Sequence, residues 1–348
     1  MPDILNIARI LGLASISFIF ALAWTPILIH FLEKYQLGKQ IRITNAPIFA
    51  KFHKKKEGTL TMGGILIWVT VLLLTFIFWL LAQIGEGTIL EKLNFLTRKE
   101  TLLPLGALVA SALVGLGDDL MGVFKIGPNS GGLKVRHRIV VYTGIAIFGA
   151  WWFFWKLGWD LIHIPFIGDF NVGFWYILIF VFVLVATAFS TNETDGLDGL
   201  AGGILLISFA SYGVIAFSQG KMNLAVFCGV IIGALLAFLW FNIYPARFFM
   251  GDTGAMSLGI TLGIIAMLTN SFLFLPLILF IPFIESASVI IQITSKKFRN
   301  KKVFLSTPIH HHFEAKNWPE SQITMRFWMI NGVTATIALV LIFLEQII

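Results

Sequence analysis

Charge is what this sequence has least of. Only 12% of its 348 residues are Asp, Glu, Lys or Arg, about half the roughly 25% of a soluble domain. Beside it stand 57% hydrophobic residues and a mean hydropathy of +0.88, which excludes an ordinary soluble fold. Cysteine is nearly missing too. The single Cys228 lies in an apolar run, so no disulfide framework holds the chain. A basic start is absent from "MPDILNIARI", and the apolar stretch behind it is too long for a signal core, so a retained first helix is expected. There is no internal repeat and no low-complexity tract.

What is there is a series of long apolar runs. Measured against a span of about 20 residues, they predict an all-α, polytopic membrane protein with ten helices, near 5–32, 62–83, 102–117, 138–156, 173–190, 199–218, 222–242, 254–269, 271–294 and 327–347. The third and eighth are short, and the eighth and ninth divide at "LTNS". The whole chain, 1–348, reads as one transmembrane domain. Ten spans put both termini on one side. The loops after spans one, three, seven and nine hold 19 of the 25 Lys and Arg. The positive-inside rule makes those loops cytoplasmic and both termini extracytoplasmic. This loop bias accounts for the net charge of +7, which in a soluble protein would suggest nucleic acid; none is expected here.

The few acids are not scattered. Asp118, Asp119, Glu193, Asp195, Asp198 and Asp252 all fall on the basic side, at helix ends or in loops. In "GLGDDL", Asp118 and Asp119 close the third span, where adjacent carboxylates repel unless a cation or a proton joins them; a solvated helix end is the plainer alternative. In "STNETDGLDGLAGG", Asn192 ends the fifth span, and Asp195 and Asp198 stand three apart, which shares a face if a helix begins there. In "FFMGDTGA", Asp252 precedes a helix start and Phe248 and Phe249 offer flat faces, for a base or simply for packing. In "TPIHHHFEAKNWPE", the consecutive His310, His311 and His312 cannot easily meet at one ion, since zinc ligands are normally spaced; they read as phosphate donors or a loop anchor. In "KKKEGTLTMGGILI", Lys54 to Lys56 meet either lipid head groups or, if the glycines turn the loop back, the acids. Glu285 lies within the ninth span, either functional or holding a neighbouring helix end.

Together and in this order, "TMGG", "GDD", "TDGLDGLAGG", "FFMGDTGA" and "TPIHHHFEAKNWPE" resemble the phospho-N-acetylmuramoyl-pentapeptide transferase family, from about Gly58 to Trp328. The middle motifs are shared with the wider polyprenyl-phosphate N-acetylhexosamine-1-phosphate transferases; the triple histidine favours the narrower family. The resemblance implies an enzyme of the bacterial inner membrane, its site facing the cytoplasm. Its substrates would be UDP-N-acetylmuramoyl-pentapeptide and undecaprenyl phosphate, its products lipid I and UMP, and its cofactor Mg²⁺. It leaves open a homodimer and a phospho-enzyme route.

By matched position, Asp252 is the implied metal ligand and Asp118 or Asp119 the base or a second metal contact. Asn192, Asp195 and Asp198 would line the nucleotide, Phe249 would stack on uracil, and Lys56 and Gln292 would touch the nucleotide sugar. His310, His311 and His312 would reach phosphate or muramoyl groups, His311 counted with the catalytic residues. Lys125 and Arg136 stand near or at positions where the family carries lysines and are implied substrate contacts. The chain departs from the family at Leu60, Glu193 and Gly122. A related transferase using a UDP-N-acetylhexosamine without the peptide is the nearest competitor. A transporter would place its ionisable groups near the midplane, and a scaffold leaves the one-sided acids unexplained.

Overall fold

The computed structural model describes residues 2–38, 56–85, 87–127 and 131–347. Lys54 and Lys55 therefore lie outside the described residues. The long helices are α1 (Pro2–Lys34), α2 (Ile65–Ile84), α4 (Leu102–Val123), α5 (Val135–Trp151), α6 (Trp175–Thr194), α7 (Leu200–Ser218), α8 (Met222–Asn242), α9 (Gly251–Leu268), α11 (Phe280–Arg299) and α13 (Glu320–Ile347). Short α3 (Ile89–Leu93), α10 (Leu275–Ile278) and α12 (Ile309–Ala315) fill the connections. Among the described residues, nine helices are long and apolar enough to span a membrane, or ten if the bent pair ahead of Arg299 is one span.

Three expectations change. The third span is not short: α4 continues to Val123, so Asp118 and Asp119 sit within its last two turns. The fifth span continues through Asn192 to Thr194, and the next begins only at Leu200. Asp195 and Asp198 thus lie in the turn between two helices and share no helical face. The ninth span is broken. A 3₁₀ turn, Phe272–Phe274, and α10 meet α11 at an 86° bend. Buried side chains satisfy free backbone groups at the break: Asn331 donates to the Ile278 carbonyl and accepts from the Ile281 N–H, and the Ser208 hydroxyl donates to the same carbonyl. Past the bend, α11 is inside out. Its polar Glu285, Ser286, Ser288, Gln292 and Ser295 are buried, while Phe283, Ile290 and Ile293 are exposed, the pattern of a helix with lipid on its outer face.

The most enclosed helix is α9, buried from Thr253 to Leu268. Its glycines permit this, because small residues let helix backbones approach in a membrane. A Cβ on Gly254 would lie 2.8 Å from the Gly64 Cα, and one on Gly259 2.9 Å from the Thr187 carbonyl. The only sheet among the described residues is a hairpin, β1 (Leu161–Ile164) with β2 (Gly168–Asn171), antiparallel with Leu161 opposite Asn171. His163 on β1 bonds Asp169 across the hairpin and Glu345 near the end of α13. Arg9 in α1 donates to Asn94 and Asn223, ahead of α4 and in the first turn of α8. Both chain ends therefore share the end of the bundle that carries the hairpin. The acid motifs gather at the other end.

Candidate active site

Asp252 occupies the first turn of α9, and three other elements reach it. Asn192, in the last turn of α6, donates its amide to Asp252 Oδ1 at 2.5 Å. Arg138, in the first turn of α5, pairs through Nη2 with Asp252 Oδ2 at 2.6 Å and through Nε with Asp118 Oδ2 at 2.7 Å. Its Nη1 donates to Asn192 Oδ1 at 3.0 Å. Asp118 also accepts the Leu133 N–H, which draws the loop ahead of α5 onto α4. Asp119 does a different task. Its two oxygens accept the N–H groups of Asp252 and Thr253, each at 3.0 Å, satisfying free donors at the start of α9 and opposing the helix dipole. The turn before α9 is built around that carboxylate: Gly251 has φ +73°, and a Cβ there would lie 2.6 Å from Asp119 Oδ2. Asp195 accepts the Gly251 N–H at 3.2 Å.

A second cluster adjoins the first through the strand-like segment ahead of Asp252. Phe248 is fully buried against Phe238 and Phe241, which makes it core. Phe249 is only partly buried, and the Lys56 ammonium sits 5.7 Å from its ring centre. Lys56 also pairs with Asp198 at 2.5 Å and with Glu320 in the first turn of α13. Glu320 accepts the Asp198 N–H at 2.7 Å, and Asp198 accepts that of Ala246 at 3.0 Å. Asp198 therefore fixes Lys56 and the Phe249 segment together. Main-chain bonds do the same for the glycine loop, with Gly63 and Gly64 donating to the Phe249 and Met250 carbonyls.

The histidine loop closes the third side as α12. His310 is buried, with Nδ1 3.0 Å from Glu285 in α11. Burial works against its charge, but the Glu285 carboxylate outweighs that and holds the ring above the ordinary histidine range. Gly196 makes room for the ring, since a Cβ there would fall 2.3 Å from His310 Nε2. His311 Nδ1 pairs with Glu314 at 2.5 Å. His312 is more exposed and accepts the Leu305 N–H at 3.1 Å. Burial, then Lys316, lowers its affinity for a proton. The three rings have separate partners.

Residues 101–270 match the sequence profile of glycosyl transferase family 4. A phospho-N-acetylmuramoyl-pentapeptide-transferase of Chloroflexus aggregans is 37% identical over 97% of this chain and 91% of its own. Enzymes of the same name from Levilactobacillus brevis and Clostridium perfringens are 37% and 36% identical, over 91% and 93% of this chain and 94% and 95% of theirs. The chain belongs to the phospho-N-acetylmuramoyl-pentapeptide-transferase family.

Of the residues singled out in the sequence, the structure gathers Asp118, Asp119, Asn192, Asp195 and Asp252 at the first cluster and Lys56, Asp198 and Phe249 at the second. It does not gather three others. Gln292, expected at a nucleotide sugar, is buried with its amide spent on the backbone of Val303 and Phe304. Lys125 and Arg136 are exposed and stand outside the clusters. Helix phase explains the second case. Positions 136 and 138 are about 200° apart on a helix, so the turn that brings Arg138 to the acids turns Arg136 away. The signal was present in "VRHRIV", where Arg138 is the basic residue next to the apolar run. Glu320 and Glu314 were also missed, since an acid paired within a motif looks like any surface acid.

The donor set suits a hard cation. Magnesium takes oxygen ligands, commonly one or two carboxylates with phosphate and water completing the shell. Asp118 and Asp252 already converge on one cationic group, the Arg138 guanidinium. Asp119 and Asp195 hold main-chain donors instead. Among the described residues no cluster of three or more His, Cys, Asp or Glu is arranged for a metal; the carboxylates that meet on the guanidinium, Asp252 and Asp118, are the donors that could hold an ion together with a substrate.

Proposed function

We propose that the chain transfers phospho-N-acetylmuramoyl-pentapeptide from its UDP carrier to undecaprenyl phosphate, giving lipid I and UMP in peptidoglycan synthesis. The observation that carries this reading is the adjacency of the two clusters. An aromatic face with an ammonium above it, Phe249 and Lys56, lies three residues from the carboxylate Asp252. A flat base and a phosphate separated by a sugar need that layout. An oxygen of the lipid phosphate bonds to the sugar-side phosphorus while the bond to the uridine-side phosphate breaks, and UMP leaves.

Such a transfer asks the protein mainly for positioning and charge neutralisation. Phe249 stacks on uracil and Lys56 draws in the diphosphate. Asp198 and Glu320 hold Lys56, and Asn192 orients Asp252. Asp118 is the carboxylate assigned to take a proton from the lipid phosphate, since both oxygens of Asp119 serve α9. Mg²⁺, when bound at Asp252, supplies Lewis-acid stabilisation of the phosphate oxygens. The His310–Glu285 pair seats the histidine loop on the sugar side. The site faces the cytoplasm of the inner membrane in this reading, because most of the basic residues lie at its end of the bundle.

The test is UMP release by purified protein given UDP-N-acetylmuramoyl-pentapeptide, undecaprenyl phosphate and MgCl₂. Release only with both substrates and metal is expected. Release with UDP-N-acetylglucosamine and none with the pentapeptide substrate would favour the related transferase.

A further inference from the structure

Arg138 spends three nitrogens on three partners from three helices: Nε on Asp118, Nη1 on Asn192 and Nη2 on Asp252. The planar guanidinium holds these contacts in one fixed fork, a geometry that a compact ammonium does not reproduce. The pair it bridges is enclosed, with side-chain exposures of 3% for Asp118 and 18% for Asp252. Two carboxylates in such a place repel unless a cation or a shared proton joins them, and here a guanidinium contacts both. The chain supplies that charge itself, from a residue that is 23% exposed and carried on the first turn of α5.

We propose that Arg138 is a built-in counter-cation for the Asp118–Asp252 pair, which a divalent cation must displace to reach Asp252. The proposal rests on the reading of Asp252 as the metal ligand. Both oxygens of Asp252 are taken, Oδ1 by the neutral Asn192 amide at 2.5 Å and Oδ2 by the charged Arg138 Nη2 at 2.6 Å, so a cation held by this carboxylate would meet the guanidinium. A dication and a guanidinium on the same carboxylate are like charges in contact, in a half-buried site where water screens them only in part. One must leave. The device keeps the acids paired between turnovers and weakens metal binding in the free protein. It makes Arg138 a positioning residue whose loss tightens metal binding while impairing the reaction. A purely structural residue would do the reverse, since misplaced carboxylates bind metal less well.

The experiment is Mn²⁺ binding, followed by electron paramagnetic resonance on detergent-purified protein without either substrate. Arg138→Gln is expected to lower the Mn²⁺ dissociation constant about tenfold, with one ion per chain. Arg138→Lys, which keeps the charge but loses the three-way fork, should fall between and carries the test if the glutamine variant does not fold. Unchanged or weaker Mn²⁺ binding in a folded variant overturns the proposal. Asp252→Asn in the Arg138→Gln background separates the two claims. Loss of the Mn²⁺ site there supports Asp252 as ligand, while retention of one ion per chain removes that assignment, whatever UMP release shows.

Discussion

Asp119 caps the helix that Asp252 opens: its two carboxylate oxygens take the Asp252 and Thr253 N–H groups at 3.0 Å each. Adjacent in sequence, Asp118 and Asp119 have thus been given separate work by the helix that carries them. Asp118 looks toward Arg138 and Asp119 toward the backbone of α9. Their substitutions should therefore differ in kind. Asp119→Ala removes a cap, which costs about 1 kcal/mol, and with it the carboxylate that positions Asp252. Thermal stability and turnover should fall together. Asp118→Asn keeps the Leu133 contact and should reduce turnover with a smaller loss of stability. Melting temperatures and UMP release measured on the same preparations decide it. Equal stability losses with equal activity losses would remove the distinction.

Phe248 and Phe249 are neighbours with opposite environments, and this predicts opposite consequences. Phe248 packs in the core, so Phe248→Ala should leave a cavity and destabilise the fold by about 3–5 kcal/mol. Phe249 is partly exposed beneath Lys56. Phe249→Ala should weaken binding of the UDP substrate by about 1–3 kcal/mol, the range of base–aromatic stacking, with the Michaelis constant for undecaprenyl phosphate little changed. Steady-state kinetics with each substrate varied in turn make the test. Equal rises for both would mean that Phe249 is packing.

The contrast shows what a linear sequence exposes and what it hides. The spans were legible because lipid imposes a minimum apolar length. The one-sided acids were legible because a charged residue beside such a span stands out. Helix phase was not. "VRHRIV" marks Arg138 as the basic residue beside the apolar run but does not fix where α5 begins, and a shift of two residues would have aimed Arg136 at Asp252 instead. The extension of α6 to Thr194 was hidden because its last turn is polar, which resembles a loop. The break ahead of α11 was hidden because its staple, Asn331, arrives from α13. Gln292 was marked by its matched position in the family, and position does not show that its amide bonds the Val303–Phe304 backbone.

The buried pair of His310 and Glu285 gives a pH dependence with a definite sign. Folding raises the proton affinity of His310. Its contribution to stability is therefore complete below the ordinary histidine value, about 6.5, and is lost as pH climbs from there through the raised folded value. His163, between Asp169 and Glu345, has the same sign: burial opposes its charge, and the two carboxylates more than offset it. The His163→Gln background isolates the buried pair. In that background the melting temperature should decline as pH rises above about 6.5, and Glu285→Gln should flatten the decline. The same slope with and without Glu285 would show that the pair stays in one protonation state throughout.

The arrangement of the bundle predicts which reagents reach which end. Cys228 is fully buried, so thiol reagents should find little background in the unmodified chain. Glu57, exposed beside Lys56, marks the end that holds the site. Ile167, 70% exposed in the hairpin turn, marks the end that holds both chain termini. On the proposed reading the first end faces the cytoplasm, the side that the basic loops of the sequence favour. In intact cells, Ile167→Cys should react with a membrane-impermeant maleimide and Glu57→Cys should not, until the membrane is opened. A water-soluble nucleotide substrate made inside the cell needs that orientation, because the polyanion cannot cross the apolar core. Labelling of Glu57→Cys from outside intact cells would invert the bundle and leave the proposed reaction without its donor.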